Sequence, residues 1–278
     1  MVVGPGGEST GVAAVTAADG LALVQRGYEG AATAWAEDAE LVYGPLADAL
    51  LERVPELAGQ LVLDVGAGTG AVSQRLVAAG AHAVAVDASW PMLAHQASSR
   101  PPGIVGDIRR LPLADGAVDG AAAAFVLNHL ADPVAALVEL RRVVRRDGFI
   151  VASVFSTADP APAKPVIDAV LAAAGWEPPE WYRFLKSVDG LLGSASAMRA
   201  AAQAADLTHI DVAERPVTTG VTDPHDIVRY RLSQPQRSGF LARLSDMARQ
   251  RVVDECIAAV AELGEAFDPG VVLLAARA

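Results

Sequence analysis

LVLDVGAGTG, residues 61–70, is a short apolar run that stops at an acid and breaks into alternating glycines. Leu61, Val62, Leu63 and Val65 read as a strand buried on both faces, and residues 71–79 (AVSQRLVAA) read as the helix that follows. Gly66, Gly68 and Gly70 occupy the turn between them. Glycines there can take positive φ and carry no Cβ, so the backbone can come within contact distance of a ligand at the carboxyl end of the strand. The spacing is G-x-G-x-G, which differs from the G-x-G-x-x-G of a dinucleotide fingerprint, and no Gly-Lys-Ser/Thr follows as it would in a phosphate loop. The ligand therefore needs no pyrophosphate.

Downstream of this loop, strand and helix patterns alternate with short connections, which argues for a parallel sheet with helices on both faces. Residues 83–86 (AVAV) form a second strand ending at Asp87, and a helix starts near Met92 after Pro91. Residues 101–105 lead into a short third strand that ends near Asp107. Residues 118–125 read as a buried fourth strand, 133–144 as an amphipathic helix, and 148–155 (GFIVASVF) as a fifth strand. Upstream, residues 19–54 show apolar positions at helical intervals, with Gly44-Pro45 expected to separate two helices or to start the second. After Ser156 the alternation fails. Helices are expected at 163–174 and 194–205, around an aromatic segment WEPPEWYRF at 176–184. A sixth strand (207–217), helices at 223–232 and 241–263, and a closing strand (271–276) complete the pattern. The organisation expected is a mobile tail (1–18), helices over the site (19–56), a ligand-binding core (57–156), a helical cap (157–206) and a C-terminal part completing the core (207–278).

Composition limits the function classes. The 278 residues are 52% hydrophobic and carry a formal charge of -11, which disfavours nucleic acid or an anionic membrane as partner, since both depend on Lys and Arg meeting phosphate. Arg141, Arg142, Arg145 and Arg146 form the one basic run, read as a solvated helix end. Cys256 is the single cysteine, which rules out an internal disulfide and argues against a cysteine metal site; a reducing cytoplasm suits it. The first residues lack the pattern of a signal peptide, and no apolar run reaches the length of a membrane helix. No metal is expected, and the chain is expected to act as a monomer or homodimer.

Three acids stand at strand ends. Asp64 can accept from an amine or order the loop amides. Asp87, twenty-one positions after Gly66, stands where a carboxylate holds a ribose diol, or caps the next helix. Asp107, in GDIRRLPL, can accept from an exocyclic amine or serve only its own turn, and Ile108 offers an apolar face to a flat ring.

Together these stretches resemble the class I S-adenosylmethionine-dependent methyltransferases, in particular the group of ubiquinone and menaquinone biosynthesis and of small-molecule enzymes of bacterial metabolism. The resemblance covers roughly residues 28–155: LVLDVGAGTG, AVDASWPML, GDIRRLPLADGAVD, AFVLNHL and LVELRRVVRRDGFIVAS fall in the family's order. It implies a Rossmann-like, seven-stranded, mostly parallel sheet with helices on both faces and a helical cap or lid. It also implies S-adenosylmethionine as cofactor, with S-adenosylhomocysteine as product. Gly66, Ala67 and Gly68 would approach the methionine part and Asp64 would orient the loop. Asp87 would hold the ribose, and Ala88, Met92, Asp107 and Ile108 would lie around the adenine side. Asn128 and His129 would lie near the methyl. YEGAATAW resembles the family's entry helix, with Glu29 and Trp35 in place of its Asp and Tyr, and this brings Tyr28 and Trp35 into consideration.

A sulfonium methyl is already activated, so the protein's task is in-line alignment of a nucleophile and exclusion of water. His129 is the first candidate base, expected to titrate near neutrality, against the alternative that it only packs or hydrogen-bonds. Tyr28 is a second catalytic candidate. Glu180, Trp181, Tyr182, His225, Arg229 and Tyr230, with Trp35, are candidates for binding a hydrophobic small-molecule acceptor of secondary metabolism, because they combine aromatic walls with polar tips. His82 and His95 are expected at the surface and His209 within a strand. A non-methylating cyclisation or elimination that retains the cofactor, a regulatory protein with a degenerate site, and a tRNA-modifying methyltransferase are the competing readings.

Overall fold

The computed structural model describes residues 17–28, 32–54, 56–95 and 97–278. The expected tail at 1–18 lies outside the described residues except for its last two, which open the first helix, and Glu29 also lies outside them. The strands are β1 Leu61–Val65, β2 His82–Asp87, β3 Gly103–Val105, β4 Val118–Ala124, β5 Val144–Phe155, β6 Thr208–Pro216 and β7 Gly270–Arg277. They form one seven-stranded sheet in the order β3-β2-β1-β4-β5-β7-β6. The first five strands pair in parallel, with Leu63 opposite both Val84 and Ala121, and β7 runs antiparallel between β5 and β6.

The helices are α1 Ala17–Tyr28, α2 Ala32–Leu51, α3 Ala71–Ala78, α4 Trp90–Ala94, α5 Pro133–Val143, α6 Ala163–Ala173, α7 Glu180–Val188, α8 Ala195–Ala204, α9 Pro224–Ser233, α10 Pro235–Leu241 and α11 Asp246–Ala261. Strand periodicity divides the core into two layers, because successive side chains point to opposite faces. Val62, Val151 and Leu273 pack with Leu46 and Leu50 of α2, Ile167 of α6 and Val252 of α11 on one face. Their neighbours Leu63, Ile150 and Leu274 pack with Leu137 and Leu140 of α5 and Met198 of α8 on the other. Both faces are covered, which explains why the central strands are apolar without polar alternation.

The structure corrects several local expectations. Gly44-Pro45 does not divide helices; Pro45 lies inside α2. A proline there removes one backbone donor. Arg75 of α3 spans the weak point, its Nη1 bonding Glu40 at 2.8 Å and its Nε Asp48 at 2.7 Å, and it lies so close to Gly44 that a Cβ would stand 2.5 Å from its Nη2. The helix expected at 241–263 instead begins at α11, where the Ser245 hydroxyl accepts from the Ala248 amide, and a separate α10 precedes it. The 176–184 segment contributes a helix, α7, that was not anticipated. The basic run is split: Arg142 on α5 pairs with Glu139 and Asp115, while Arg145 belongs to β5 and pairs with Asp119.

Strand order reverses between β1 and β4, so the connections leaving these two strands diverge and open a crevice at their carboxyl ends. The glycine loop and the segment after β4 form its two lips. Among the described residues, no helix is long and apolar enough to cross a membrane.

Candidate active site

The glycine loop is held by its neighbours. Gly66 turns at φ 71°, and its amide and that of Ala67 both donate to the Val86 carbonyl of β2, at 2.8 and 3.1 Å. A Cβ on Gly66 would stand 2.5 Å from the Val126 side chain, so only glycine lets the two lips meet. Gly68, at φ 51°, donates its amide to Asp87 Oδ2 at 2.8 Å, and Asp87 Oδ1 accepts from the Ser89 amide at 2.8 Å. One acid thus fixes both the loop and the start of α4. Each of its oxygens keeps lone-pair capacity for a ligand. Burial raises the Asp87 pKa, with the Ser89 and Gly68 amides opposing the rise.

Asp64 lies beneath the loop, 1% exposed, and accepts from the Ser73 hydroxyl of α3 at 2.5 Å. Burial pushes its pKa up to about 6, against the Ser73 hydrogen bond and the Arg100 guanidinium. On the other lip Phe125 takes φ 55°, uncommon for an aromatic residue, and its ring meets Phe155 at 4.5 Å between centroids.

Between the lips and helices α1, α2, α6, α7 and α9 lies a cavity of about 910 Å³. Asp64, Gly66, Ala67, Gly68, Asp87, Ala88, Met92, Asp107 and Ile108 line one end, Asn128 and His129 the middle, and Tyr28, Trp35, Trp181, Tyr182 and Tyr230 the aromatic end. The rings touch in sequence: Tyr28 lies 5.6 Å from His129 and 5.7 Å from Trp181, and Trp35 lies 5.1 Å from Tyr43. Burial drives the His129 pKa down to about 4, with Asp189 opposing, so the imidazole is neutral at pH 7 and does not titrate near neutrality as expected. Burial also raises the Tyr28 phenol above its ordinary range and keeps it protonated.

Other expectations are corrected. Glu180, His225 and Arg229 do not line the cavity. Helical geometry turns Trp181 and Tyr182 inward from α7 and leaves Glu180 exposed at its start. On α9, Tyr230 faces in while Arg229 faces out to Asp38 and Asp226, and His225 bonds its own cap residue Asp223. His95 is not a surface residue: it lines the cavity, with Nε2 buried and unpartnered. His82 is exposed and His209 lies in β6, as expected. Asp107 reaches the wall, but Arg109 clasps both its oxygens at 2.7–3.1 Å. Sequence reasoning missed Tyr43, Phe125, Phe155, Lys164, Asp168 and Arg231. Lys164 and Asp168 carried a signal, since they are the two charged residues of the otherwise apolar α6 and stand four apart on it.

The donor set fits an S-adenosyl cofactor. Gly66 and Gly68 leave a cradle without side chains beside the cavity, Asp87 offers a carboxylate, and the Asn128 Oδ1 is buried with no partner, an acceptor available to an ammonium group.

An open, seven-stranded sheet with a glycine loop at its switch point is the Rossmann-like fold of class I methyltransferases. Residues 63–152 match the family model described as a methyltransferase domain, and the chain is similar to S-adenosylmethionine-dependent methyltransferases. It is 44% identical over 99 residues to a demethylmenaquinone methyltransferase of Mycolicibacterium paratuberculosis, covering 36% of this chain and 43% of that protein. The corresponding enzyme of Mycobacterium tuberculosis is 41% identical over 99 residues, covering 36% and 42%. The chain thus aligns with about two fifths of the length of these curated relatives. Solved structures share the fold: a SAM-dependent methyltransferase of Thermotoga maritima (TM-score 0.55, 14% identity, 92% of this chain and 98% of that one) and Haemonchus contortus phosphoethanolamine N-methyltransferase 2 with S-adenosylhomocysteine (TM-score 0.52, 18% identity, 84% and 52%).

Proposed function

We propose that this protein binds S-adenosylmethionine along the glycine loop and transfers its methyl group to a hydrophobic small molecule, of secondary metabolism, held in the aromatic chamber. The observation that carries this reading is the single cavity that joins the loop and Asp87 to the ring-lined end. S-adenosylmethionine supplies a sulfonium-activated methyl. Asp87 would hold the ribose hydroxyls, Asp64 and Asn128 the cationic methionine end, and Ala88, Met92, Asp107 and Ile108 the adenine side. Tyr28, Trp35 and Trp181 would align the acceptor and keep water from the reacting atoms. Tyr28 can donate a hydrogen bond to the acceptor, and neutral His129 can take up its proton at a free ring nitrogen as the new bond forms. A quinone-like ring is one acceptor that suits the chamber, in keeping with the names of the curated relatives. Residues 157–206 would serve as the cap that selects it.

Calorimetric titration with S-adenosylmethionine and S-adenosylhomocysteine tests the cofactor. Asp87→Ala should weaken binding by about 1–3 kcal/mol through lost charge-assisted hydrogen bonds. Unchanged affinity would remove the ribose assignment. Mass spectrometry of small molecules incubated with protein and cofactor should then show a gain of about 14 Da, one CH₂, on the acceptor.

A further inference from the structure

The cap end of the chamber holds more buried positive charge than the fold balances. Arg231 of α9 is 5% exposed and Arg237 of α10 is fully buried. Both depend on one carboxylate: Asp168 Oδ1 accepts from Arg237 Nη2 at 2.5 Å and Nε at 3.2 Å, and from Arg231 Nη2 only at 3.4 Å. Gln234 Oε1 accepts from Nη1 of each, at 3.0 Å from Arg231 and 2.5 Å from Arg237, but an amide brings no charge. The deficit falls on Arg231, whose Nε is buried with no acceptor. Arg237 has Trp176 beneath it at 5.3 Å, whereas Arg231 reaches the cavity wall.

Two lysines line the same corner, each with its own acid: Lys164 with Asp159 and Lys186 with Asp189. Four cations therefore face three carboxylates. Burial, and then repulsion from Arg231, Lys186 and Arg237, bring the Lys164 pKa down to about 7. A buried charge without a partner is among the costlier arrangements a fold can hold.

We propose that this corner recognises a carboxylate on an otherwise apolar acceptor, seated between Lys164 Nζ and Arg231. The inference rests on reading the chamber as the acceptor site. The imbalance is a single charge, which one monoanion offsets and a phosphate dianion would exceed. Lys164 Nζ has three donors, of which Asp159 needs one. Beside it the Phe155 ring lies 4.5 Å away, and Tyr182 and Tyr230 line the adjacent wall, so a charged tip at Lys164 would continue into an apolar body. Anchoring that tip would leave the opposite end of the acceptor directed toward the glycine loop.

The test compares 2-naphthoate with the isosteric neutral 2-naphthamide, titrated by calorimetry into the full chain near pH 6, where Lys164 carries its charge and the naphthoate is ionised. The acid should bind roughly tenfold or more tightly than the amide, as expected for a charge-assisted contact. In a Lys164→Gln protein whose thermal melt shows it folded, the two should bind within about twofold of each other, because the acid loses the Lys164 contact and three cations then face three carboxylates, Asp159 among them, with no charge left to offset. Equal affinities for acid and amide, no detectable binding of naphthoate, or a preference that survives Lys164→Gln would each overturn the proposal. The acid-to-amide ratio of the unaltered protein needs no variant. A parallel titration with S-adenosylmethionine separates the two readings: failure there refutes the methyltransferase assignment, while cofactor binding with no preference for the acid refutes the carboxylate site alone.

Discussion

Asp64→Asn measures what the acid beneath the glycine loop costs the fold. Asp64 is 1% exposed, and burial moves its pKa from 3.8 to about 6. A carboxyl group that holds its proton more tightly in the folded state contributes stability that is fully present below about pH 4. That contribution is lost as the pH rises to about 6 and is constant thereafter. Two pH units at about 1.36 kcal/mol each give a penalty of roughly 3 kcal/mol for the free protein at neutral pH. Asparagine keeps the shape, can still accept from Ser73, and does not ionise. The variant should therefore match the parent near pH 4 and exceed it by about 2–3 kcal/mol at pH 7 and above, with the difference opening between pH 4 and 6. Urea unfolding followed by tryptophan fluorescence at a series of pH values reads this directly. A difference that does not change with pH would refute the reasoning. The same substitution should reduce the rise in Tm on adding S-adenosylmethionine, because an ionised acid at this position is the natural partner of the ligand's cationic end.

Three further outcomes are expected. His129→Gln should lower turnover by roughly a hundredfold while leaving S-adenosylmethionine affinity unchanged in calorimetry, and near-normal turnover would reduce the ring to packing. Gly66→Ala should destabilise the protein by about 2–4 kcal/mol in urea unfolding, since an alanine at φ 71° is strained and its Cβ would meet Val126 at 2.5 Å. Pro45→Ala restores a backbone donor inside α2 and should raise unfolding free energy by about 1–3 kcal/mol; a loss instead would mean that the helix is shaped around the proline.

The helix boundaries that sequence reading missed have a common origin. A proline argues locally for a break, but Val42 and Leu46 on either side of Pro45 are both buried in one core, and Arg75 from another helix ties the two halves together. Conversely, the apolar spacing of 241–263 is helical throughout, and the break before Asp246 is set by a single serine cap. The aromatic candidates stood out in the sequence, yet which of them turn inward depended on the phase of each helix against the sheet, so Trp181 and Tyr230 reached the chamber and Glu180 and Arg229 did not.

What the sequence determined by itself is what short-range geometry dictates. An apolar strand, an acid and glycines at fixed spacing specify a tight turn at the strand's carboxyl end, where a ligand can approach the backbone, and Asp87 ends the next strand of the same parallel pair. Gly66, Gly68 and Asp87 follow from chain-local rules, whereas the seven-stranded sheet was implied by the family resemblance and its order β3-β2-β1-β4-β5-β7-β6 was decided by the tertiary structure. The tertiary structure alone decided the far wall. Arg231 and Asp168 are sixty-three residues apart and Arg237 and Asp168 sixty-nine. The depressed His129 pKa and the unbalanced charge at Arg231 arise from burial, a property of the assembled chamber that no single segment carries.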